Sequence, residues 1–447
     1  MNNPLSNNPD AANASASSPP AQSAPPPRIV ILGGGHAGAQ LSAGLHELGI
    51  AGATQLVCEE AVLPYHRPPL SKVFLKTEDA AQQAHRSAAW FDTAGVRTHL
   101  GDAAVRIDRT TRQVHLKSGL RLPYDYLVLA TGTRARALPG LASGLTNAFA
   151  LRTLGDADVL RSKLHAASHV TVLGGGFIGL EVAATARALG KTVTVIEMAP
   201  RLMGRSVSAE LAEYVLETHR AAGITIKLNA RLGDYHYAKA LDGSPVVAAI
   251  EVDGQSEPVD LLLIGIGAQP EQTLALDAQL ECDNGVVVDA SLRTSDAVIF
   301  AIGDCCSFPM LDGARVRLES VQNANDQARA VAKQIAQSVS EGGHVNLAAS
   351  GLGPYHALPW FWSEQGSLRL QMAGLLPKEA QSYRRPGATS ASFSILHYQA
   401  DKLRCVESVN APQDHLAARK LLETGISPSP QAAMNPSVAL KSFFSVT

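Results

Sequence analysis

Cysteine is scarce in this chain of 447 residues, and the five that occur are widely scattered. They are an odd number and form no C-x-x-C pair, so a disulfide-stapled secreted scaffold is excluded. Such usage favours a reducing, cytoplasmic setting. The cysteines are Cys58, Cys282, Cys305, Cys306 and Cys405.

Long apolar runs and N-terminal basic residues are also missing. No stretch approaches the ~18 apolar residues that suggest a membrane span. Residues 1–27 contain no Lys or Arg and no apolar core, so they resemble neither a signal peptide nor a transit peptide, and we predict a disordered tail. The formal net charge of -2 argues against a globally basic surface that binds nucleic acid.

Apolar residues and glycine, in contrast, are abundant. Hydrophobic residues make up 46% of the chain and charged residues 17%, and the 37 glycines suit a backbone that approaches ligands closely. A length of 447 residues exceeds what one hydrophobic core usually supports. Together these features predict a soluble α/β enzyme of two or three domains.

A glycine motif follows the first strand pattern of the chain. The apolar run 29–32 leads directly into 33–38, which reads G-x-G-x-x-G, and a helical stretch over 39–49 and a strand around 55–58 come next. Glu59 lies 21 positions beyond the last glycine. Glycines at this spacing permit a tight turn, the helix N-terminus offers N–H groups to a pyrophosphate, and the acid accepts ribose hydroxyls. This order of features predicts a dinucleotide-binding unit.

The same series occurs a second time. A strand pattern over 170–173 precedes the motif at 174–179, a helix through Leu189, and a strand over 192–196 that ends at Glu197. Each unit later reaches a further matching strand, so the sequence contains an internal duplication. Two dinucleotide sites imply one resident and one visiting cofactor that exchange a hydride, and FAD with NAD(P)H is the natural pair.

The acid of the second unit bears on the choice of nicotinamide cofactor. Glu197 would accept both ribose hydroxyls and repel a 2′-phosphate, which favours NADH over NADPH. Arg201 and Arg205 follow closely and would partly neutralise this site. We therefore expect NADH, with Glu197 as the residue on which the choice depends.

Several motifs beyond the glycines are shared with a known family. They are 63–72 (LPYHRPPLSK), 151–154 (LRTL), 174–183, 303–305 (GDC), 317–324 (RLESVQNA) and 359–365 (PWFWSEQ). With them the chain resembles the FAD-dependent NADH:ferredoxin and rubredoxin reductases of oxygenase systems, from about residue 28 to beyond residue 410.

The resemblance implies a fold and a division into domains. The fold would be α/β, with two Rossmann-like dinucleotide-binding domains of the glutathione-reductase type and a C-terminal α+β domain. The FAD-binding domain would be discontinuous, formed by residues 28–139 and 269–343, with the NADH-binding domain inserted as residues 140–268. Residues 344–447 would form the α+β domain, which closes on the flavin.

The resemblance also implies which residues bind each cofactor. Glu59 would bind the adenosine ribose of FAD, Asp304 its ribityl chain, and Val321 and Gln322 the pyrimidine edge of its ring. The residues implied for FAD are Gly33, Gly35, His36, Ala37, Gly38, Glu59, Arg67, Lys72, Thr131, Gly132, Arg134, Asp304, Val321, Gln322 and Trp360. The residues implied for NADH are Gly174, Gly176, Phe177, Ile178, Gly179, Glu197 and Gly267.

Lys72 and Glu181 are the residues expected at the hydride-transfer face. Similar enzymes place this Lys beside flavin N5 and this Glu beside the nicotinamide amide. Neither needs to donate a proton, because the cofactors supply the chemistry and the protein aligns the two rings. The alternatives are a solvated Lys and a Glu that is favoured near a helix N-terminus by the helix dipole.

The route by which electrons leave depends on the cysteines. Cys305 and Cys306 are the only close pair, and vicinal cysteines rarely form an unstrained disulfide, so we expect them to be small packing residues. Without a dithiol to reduce, the expected acceptor is an iron–sulfur protein, a ferredoxin or rubredoxin, that takes single electrons and feeds an oxygenase.

Two other functions remain open on the sequence alone. One is an NADH oxidase or another pyridine-nucleotide flavin oxidoreductase on the same fold, and the other is a redox-sensing protein like apoptosis-inducing factor. His85, His115 and His397 show no metal-ligand spacing, so no metal site is predicted.

Overall fold

The structure is a computed structural model that describes residues 26–341 and 353–444. Nearly all of the predicted disordered tail, 1–27, lies outside the described residues. So does the predicted boundary between residues 343 and 344. Within the described ranges, no helix combines the length and apolar character needed to cross a bilayer.

The first part of the chain carries eight strands and three helices, with a short 3₁₀ turn at Pro68–Ser71. In chain order they are β1 (Ile29–Leu32), α1 (His36–Glu47), β2 (Thr54–Cys58), α2 (Val73–Lys76), α3 (Ala88–Ala94), β3 (Val96–Leu100), β4 (Ala104–Asp108), β5 (Gln113–Leu116), β6 (Arg121–Pro123), β7 (Tyr126–Leu129) and β8 (Thr133–Ala135).

The second part repeats the alternation of strands and helices and adds an antiparallel ribbon. Its elements are β9 (Ala148–Phe149), α4 (Leu154–Ala166), β10 (His169–Leu173), α5 (Phe177–Ala188), β11 (Thr192–Ile196), α6 (Ala209–Ala221), β12 (Thr225–Lys227), β13 (Leu232–Lys239), β14 (Pro245–Val252), β15 (Gln255–Pro258) and β16 (Leu261–Ile264).

A third part follows and ends in a long helix. It contains β17 (Ala268–Pro270), α7 (Thr273–Asp277), β18 (Val286–Val287), β19 (Ile299–Ala301), β20 (Cys306–Pro309), β21 (Arg315–Val316) and α8 (Val321–Ser340). The C-terminal part contains β22 (Trp360–Gln365), β23 (Leu368–Gly374), β24 (Gln381–Pro386), β25 (Phe393–Gln399), β26 (Lys402–Val409), α9 (Pro412–Thr424) and α10 (Pro430–Met434).

Two five-stranded parallel sheets organise the first three parts. One has the order β19-β7-β1-β2-β3 and the other β12-β11-β10-β16-β9. The central strands β1 and β7 are buried along their whole length, as parallel strands covered on both faces should be. The C-terminal sheet is antiparallel, in the order β22-β23-β26-β25-β24, and α9 packs on it. The predicted fold class is confirmed.

The first sheet takes its edge strand β19 from beyond the second sheet, so the chain leaves this sheet and returns to it. The two connections run side by side, because β8 and β17 pair as antiparallel neighbours with Ala135 opposite Ala268. This arrangement agrees with the predicted insertion of one unit into the other, while the boundary residues themselves stay predictions.

Strand register shows how closely the two units match. Leu32 lies opposite Val57 in the first sheet, and Leu173 lies opposite Ile196 in the second. The residue after each first strand is the first glycine of a motif. Helix α1 begins at His36, three residues earlier than the helical stretch predicted from residue 39, because only the first glycines of the motif form the turn.

Candidate dinucleotide-binding sites and their junction

The first glycine turn is built by backbone contacts that leave no room for a side chain. A Cβ at Gly33, where φ is 122°, would lie 2.1 Å from the carbonyl oxygen of Ala130, and one at Gly38 would lie 2.0 Å from that of Gly33. Gly35 is different, because a Cβ there would meet nothing within 4 Å. Gly33 therefore permits the turn, Gly38 lets the first turn of α1 pack against it, and Gly35 leaves open space beside the backbone.

The second turn has the same geometry. A Cβ at Gly174 would lie 2.4 Å from the carbonyl oxygen of Gly265, and one at Gly179 would lie 2.4 Å from that of Gly174. The middle glycine, Gly176, again faces open space, with nothing within 4 Å of a Cβ. The duplication seen in the sequence is thus a duplication of contacts.

Helices α1 and α5 begin at these open spaces without a side-chain cap on their N-cap residues, Gly35 and Gly176. The first N–H groups of a helix have no partner inside the helix, and the helix dipole makes this end attractive to anions. An open cradle in front of uncapped N–H groups fits a pyrophosphate. The residues present therefore fit one dinucleotide at each motif, the first being the expected FAD site.

The two acids do not occupy equivalent positions. Glu197 directly follows Ile196, the residue that pairs with Leu173 in the second sheet. Glu59 lies two residues after Val57, the residue that pairs with Leu32 in the first sheet. Glu197 accepts hydrogen bonds from the backbone N–H groups of Gly175 and Ala199, each at 2.7 Å. It is therefore held beside its glycine turn, while Glu59 is exposed at the end of β2.

Glu60, which the sequence analysis did not select, belongs to a hydrogen-bond network. Its carboxylate accepts from Tyr65 Oη and from Arg67 Nη2, both at 2.7 Å. Arg67 also donates to the carbonyl oxygen of Arg152 at 2.6 Å. The predicted FAD residue Arg67 thus links the loop after β2 to the segment before α4, where 151–154 had been recognised as a motif without an assigned role.

Arg152 extends this network to Asp304. Its Nη2 donates to Asp304 Oδ2 at 3.0 Å, and its Nε donates to the carbonyl oxygen of Thr133 at 3.0 Å. Burial raises the pKa of the Asp304 carboxyl, and the positive charge of Arg152 opposes that rise. A Cβ at Gly303 would lie 3.2 Å from Cβ of Ala37, so the exit from β19 places Asp304 near the start of α1.

The other predicted FAD residues after β7 are placed in different settings. A Cβ at Gly132 would lie 3.4 Å from Arg152 Nη2, so this glycine borders the Arg152 side chain. Thr131 Oγ1 donates to the carbonyl oxygen of Glu271 at 2.6 Å. Arg134 is exposed and pairs with the Glu271 carboxylate at 2.6 Å. Gly132 lies in the same network as Asp304, whereas Arg134 is a surface residue in this structure.

Three distant segments of the chain meet at the carboxylate of Glu181, on the first half of α5. Its Oε2 accepts from Lys72 Nζ and from Ser71 Oγ, each at 2.6 Å, and its Oε1 accepts from Ser363 Oγ at 2.7 Å. The side chains are 8% exposed for Glu181 and 18% exposed for Lys72. We call this cluster of four side chains the Glu181 junction.

The Glu181 junction excludes one of the alternatives considered for Lys72. Lys72 is not a solvated surface residue, because its Nζ also donates to the carbonyl oxygen of Pro68 at 3.0 Å and its side chain is largely buried. Ser363 was not singled out from the sequence. It belongs to a recognised motif, yet no spacing rule could join it to an acid 182 positions earlier.

Strand β22 brings Ser363 to the junction and spans the two parallel-sheet units. The N–H of Trp360 donates to Gln322 Oε1 at 3.3 Å, near the start of α8, whose N-cap is Ser320. The Phe361 ring packs edge-on against Phe177 of α5, with centroids 5.2 Å apart. Strand β22 thus links two sets of predicted residues. On one side lie Val321, Gln322 and Trp360, expected for FAD, and on the other lies Phe177, expected for NADH.

Two further residues predicted for NADH lie on the surface. Ile178, in the first turn of α5, has 44% of its area exposed. Gly267 has a φ of 98° and is exposed just after β16. Both positions are available to a visiting molecule.

The vicinal cysteines behave as packing residues. Cys305 and Cys306 are unpaired and buried, and the thiol of Cys305 donates to the carbonyl oxygen of Ile302 at 3.3 Å. Burial raises the pKa of both thiols. Their burial agrees with the packing role expected from the sequence.

Comparison with known proteins fits this geometry. Residues 27–328 match the family model described as pyridine nucleotide-disulphide oxidoreductase, and residues 360–444 match the model described as reductase C-terminal. This chain belongs to the pyridine nucleotide-disulphide oxidoreductase family. Both of its nucleotide motifs fall inside the first match, and β22 begins at the first residue of the second.

Similar proteins within this family include several reductases. Rhodocoxin reductase of Rhodococcus erythropolis is 40% identical over 415 residues, which are 92% of this chain and 93% of that protein. The ferredoxin reductase for the CYP199A2 system from Rhodopseudomonas palustris has a TM-score of 0.85 at 39% identity, covering 93% of this chain and 99% of its own. The covalent putidaredoxin reductase–putidaredoxin complex gives 0.85 at 34% identity, covering 94% and 98%.

These likenesses confirm the resemblance inferred from the motifs. They also confirm that the chain is an oxidoreductase that uses FAD and a nicotinamide nucleotide. Cys305 and Cys306 are buried and unpaired.

Proposed function

We propose that this protein is an NADH:ferredoxin (or rubredoxin) oxidoreductase, which takes hydride from NADH onto FAD and passes single electrons to a small iron–sulfur protein that feeds an oxygenase. One observation carries the proposal. Contacts run without a break from Asp304 through Arg152 and Arg67 into segment 67–72, and from Lys72 to Glu181. The residues expected to hold the flavin are therefore tied to the helix expected to hold the nicotinamide nucleotide.

FAD, when bound, accepts a hydride and releases its electrons one at a time, which a nicotinamide cannot do. The residues of this chain have to bind the two nucleotides and align their rings. In the proposal, uncapped N–H groups at Gly35 and Gly176 bind the two pyrophosphates, and Asp304 accepts hydrogen bonds from the ribityl hydroxyls. Lys72 and Glu181 hold the region between the rings.

Lys72 and Glu181 act as positioning groups in this proposal. Their pairing at 2.6 Å fixes the end of segment 67–72 against α5. Glu181 Oε1 is fixed separately by Ser363, so the carboxylate cannot rotate freely. A nicotinamide amide arriving at this carboxylate would meet acceptors that are already oriented, which lowers the entropic cost of alignment.

The C-terminal domain excludes water from this region. Its strand β22 covers α5 through Phe361 and reaches the start of α8 through the N–H of Trp360. An apolar cover strengthens the electrostatic interactions beneath it and protects a reduced cofactor from side reactions. The three-part division at residues 139/140, 268/269 and 343/344 is part of this proposal.

NADH is the proposed donor for two reasons. Glu197 lies beside the second glycine turn, and its basic neighbour Arg201 is bound within its own loop. Arg201 donates to the carbonyl oxygens of Gly204 at 2.7 Å and Val207 at 3.1 Å, so its guanidinium is engaged within its own loop. That engagement weakens the case that Arg201 neutralises a 2′-phosphate. Glu197, which is hydrogen-bonded to the second glycine turn, is the proposed acid that selects against a 2′-phosphate.

The iron–sulfur acceptor is supported by the relatives and by the cysteines. The similar proteins are named as reductases of rhodocoxin and ferredoxin, and one was solved in complex with putidaredoxin. The buried thiols of Cys305 and Cys306 provide no alternative exit by thiol exchange. Five unpaired cysteines also suit the reducing cytoplasm, which we propose as the location.

A direct comparison of electron acceptors tests this function. The purified yellow protein is mixed with NADH or NADPH and with [2Fe–2S] ferredoxins, a rubredoxin, ferricyanide or oxygen. We expect rapid NADH oxidation coupled to reduction of at least one iron–sulfur protein, and slow consumption of oxygen. Rapid ferricyanide reduction with no transfer to any iron–sulfur carrier would instead support an oxidase.

A further inference from the structure

Three histidines that are far apart in the sequence come together beside the first glycine turn. The His36 and His85 ring centroids are 4.5 Å apart, those of His66 and His85 are 4.0 Å apart, and those of His36 and His66 are 5.6 Å apart. One ring nitrogen from each lies within 4.8 Å of the other two. We call these residues the histidine cluster.

We propose that the histidine cluster binds one divalent transition-metal ion, of which Zn²⁺, Cu²⁺ and Ni²⁺ are the chemical class that neutral imidazoles prefer. His36, His66 and His85 would supply three nitrogen ligands, and a fourth position would be left for water or another group. This goes beyond the proposed reductase activity, which needs no metal bound by this chain.

Unpaired ring nitrogens give the first support. Nε2 of His36 and Nε2 of His85 are buried from solvent and have no hydrogen-bond partner within 26–341 and 353–444. His36 as a residue is only 9% exposed, so its ring has little access to water as a substitute partner. A buried nitrogen without a partner is costly, and a metal ion would remove that cost for both rings at once.

The backbone holds two of the three histidines on paired segments. His66 N–H donates to the carbonyl oxygen of Gln83, and His85 N–H donates to that of Pro64, each at 2.8 Å. An antiparallel bridge between Tyr65 and Ala84 lies between these bonds. The loop that follows β2 therefore presents both rings toward His36 at the start of α1.

The distances require only a small adjustment. An ion placed among three atoms 4.8 Å apart would lie at most about 2.8 Å from each, whereas Zn–N bonds are about 2.0–2.1 Å. Each ring would have to move inward by about 0.7 Å, which side-chain rotation provides. His66 is exposed and is the ring with the most freedom to do so.

The charges near the cluster are compatible with an ion. The neighbouring cations Arg67 and Arg152 are themselves paired with carboxylates. Arg86 lies near His85 as a remaining positive charge, which favours moderate rather than very tight binding.

Metal titration of the FAD-loaded full chain, prepared without a polyhistidine tag, tests the proposal. After dialysis against a chelator, Zn²⁺ is added and bound zinc per FAD is measured. We expect one ion per chain, with affinity weakened by about 100-fold or more in His66→Gln and His85→Gln. His115→Gln, on β5 of the three-stranded β4-β5-β6 sheet, is the matched control and should bind zinc like the wild type.

Copper provides a second readout that does not depend on affinity. The electron paramagnetic resonance spectrum of bound Cu²⁺ should show nitrogen couplings that decrease in His85→Gln, while the FAD content and far-UV circular dichroism stay unchanged. Zinc binding that is equal in the wild type and both cluster variants would overturn the proposal, as would a copper spectrum without nitrogen couplings. Neither result depends on reductase activity, so the two proposals can fail independently.

Discussion

The Glu181 junction makes a quantitative prediction about hydride transfer. Replacing Glu181 with Gln keeps the size of the side chain and an oxygen acceptor but removes the negative charge that faces Lys72 at 2.6 Å. The Gln amide can still accept from Ser71 or Ser363. What the variant loses is the charge-assisted bond to Lys72, in a place where both side chains are largely buried.

The size of the effect follows from that one bond. A hydrogen bond to a charged group is worth about 1.5–3 kcal/mol. If this energy holds the nicotinamide in line with the flavin, its loss raises the barrier by the same amount, and each ~1.4 kcal/mol is tenfold in rate. We therefore expect flavin reduction by NADH to be about 10- to 150-fold slower in Glu181→Gln.

Anaerobic stopped-flow measurement of flavin absorbance, over a range of NADH concentrations, separates the limiting rate from binding. The limiting rate should fall by the stated factor, whereas the apparent Kd for NADH should change by less than about threefold, since the cradle at Gly176 is untouched. Glu213→Gln, on the exposed face of α6, is a matched control and should reduce flavin at the wild-type rate.

A double-mutant cycle tests whether Lys72 and Glu181 act on flavin reduction as one unit or independently. If Lys72 and Glu181 act as one unit, Lys72→Met with Glu181→Gln should be no slower than the slower single variant. Two losses that simply multiply would show that the residues act independently. A Glu181→Gln protein within twofold of the wild-type rate would refute the positioning role altogether.

Three further predictions follow from single residues. Gly176→Val should weaken NADH binding by at least about tenfold, with flavin absorbance at the wild-type level, because a Cβ there meets none of the described residues within 4 Å and fills only the cradle. Glu197→Gln should raise the ratio of NADPH to NADH kcat/KM by about tenfold. Burial, aided by Arg419, lowers the pKa of His415 to about 4, so stability present above pH ~6.5 is lost as the pH falls toward 4. Tryptophan-fluorescence melting should show a smaller acid loss, by about 2–3 kcal/mol, in His415→Gln.

Much of the fold could be predicted because it is encoded in local patterns. The strand at 29–32 and the strand at 192–196 were found at the residues where the structure has them, since short apolar runs before a glycine turn have few other interpretations. The helix after the second glycine motif was predicted to run through Leu189, and in the structure it ends one residue earlier, at Ala188. Patterns of this kind depend only on neighbours in the chain.

The parts that could not be predicted depend on which segments the fold brings together. Glu60 and Arg152 take part in the network that reaches Asp304, yet one sits beside the expected acid and the other inside a motif with no stated role. Ser363 reaches Glu181 only because β22 crosses from one unit to the other. No periodicity in the sequence contains that information.

The histidine cluster is also formed by segments that lie far apart in the sequence and that the fold brings together. His85 was dismissed as a ligand because no second histidine lies at a metal-binding spacing along the chain. The fold supplies the missing partners by pairing 64–66 with 83–85 and placing both against α1. His36 stands in the first glycine motif at the start of α1, and its ring lies against those of His66 and His85. An ion held there would tie the paired segments to the start of α1.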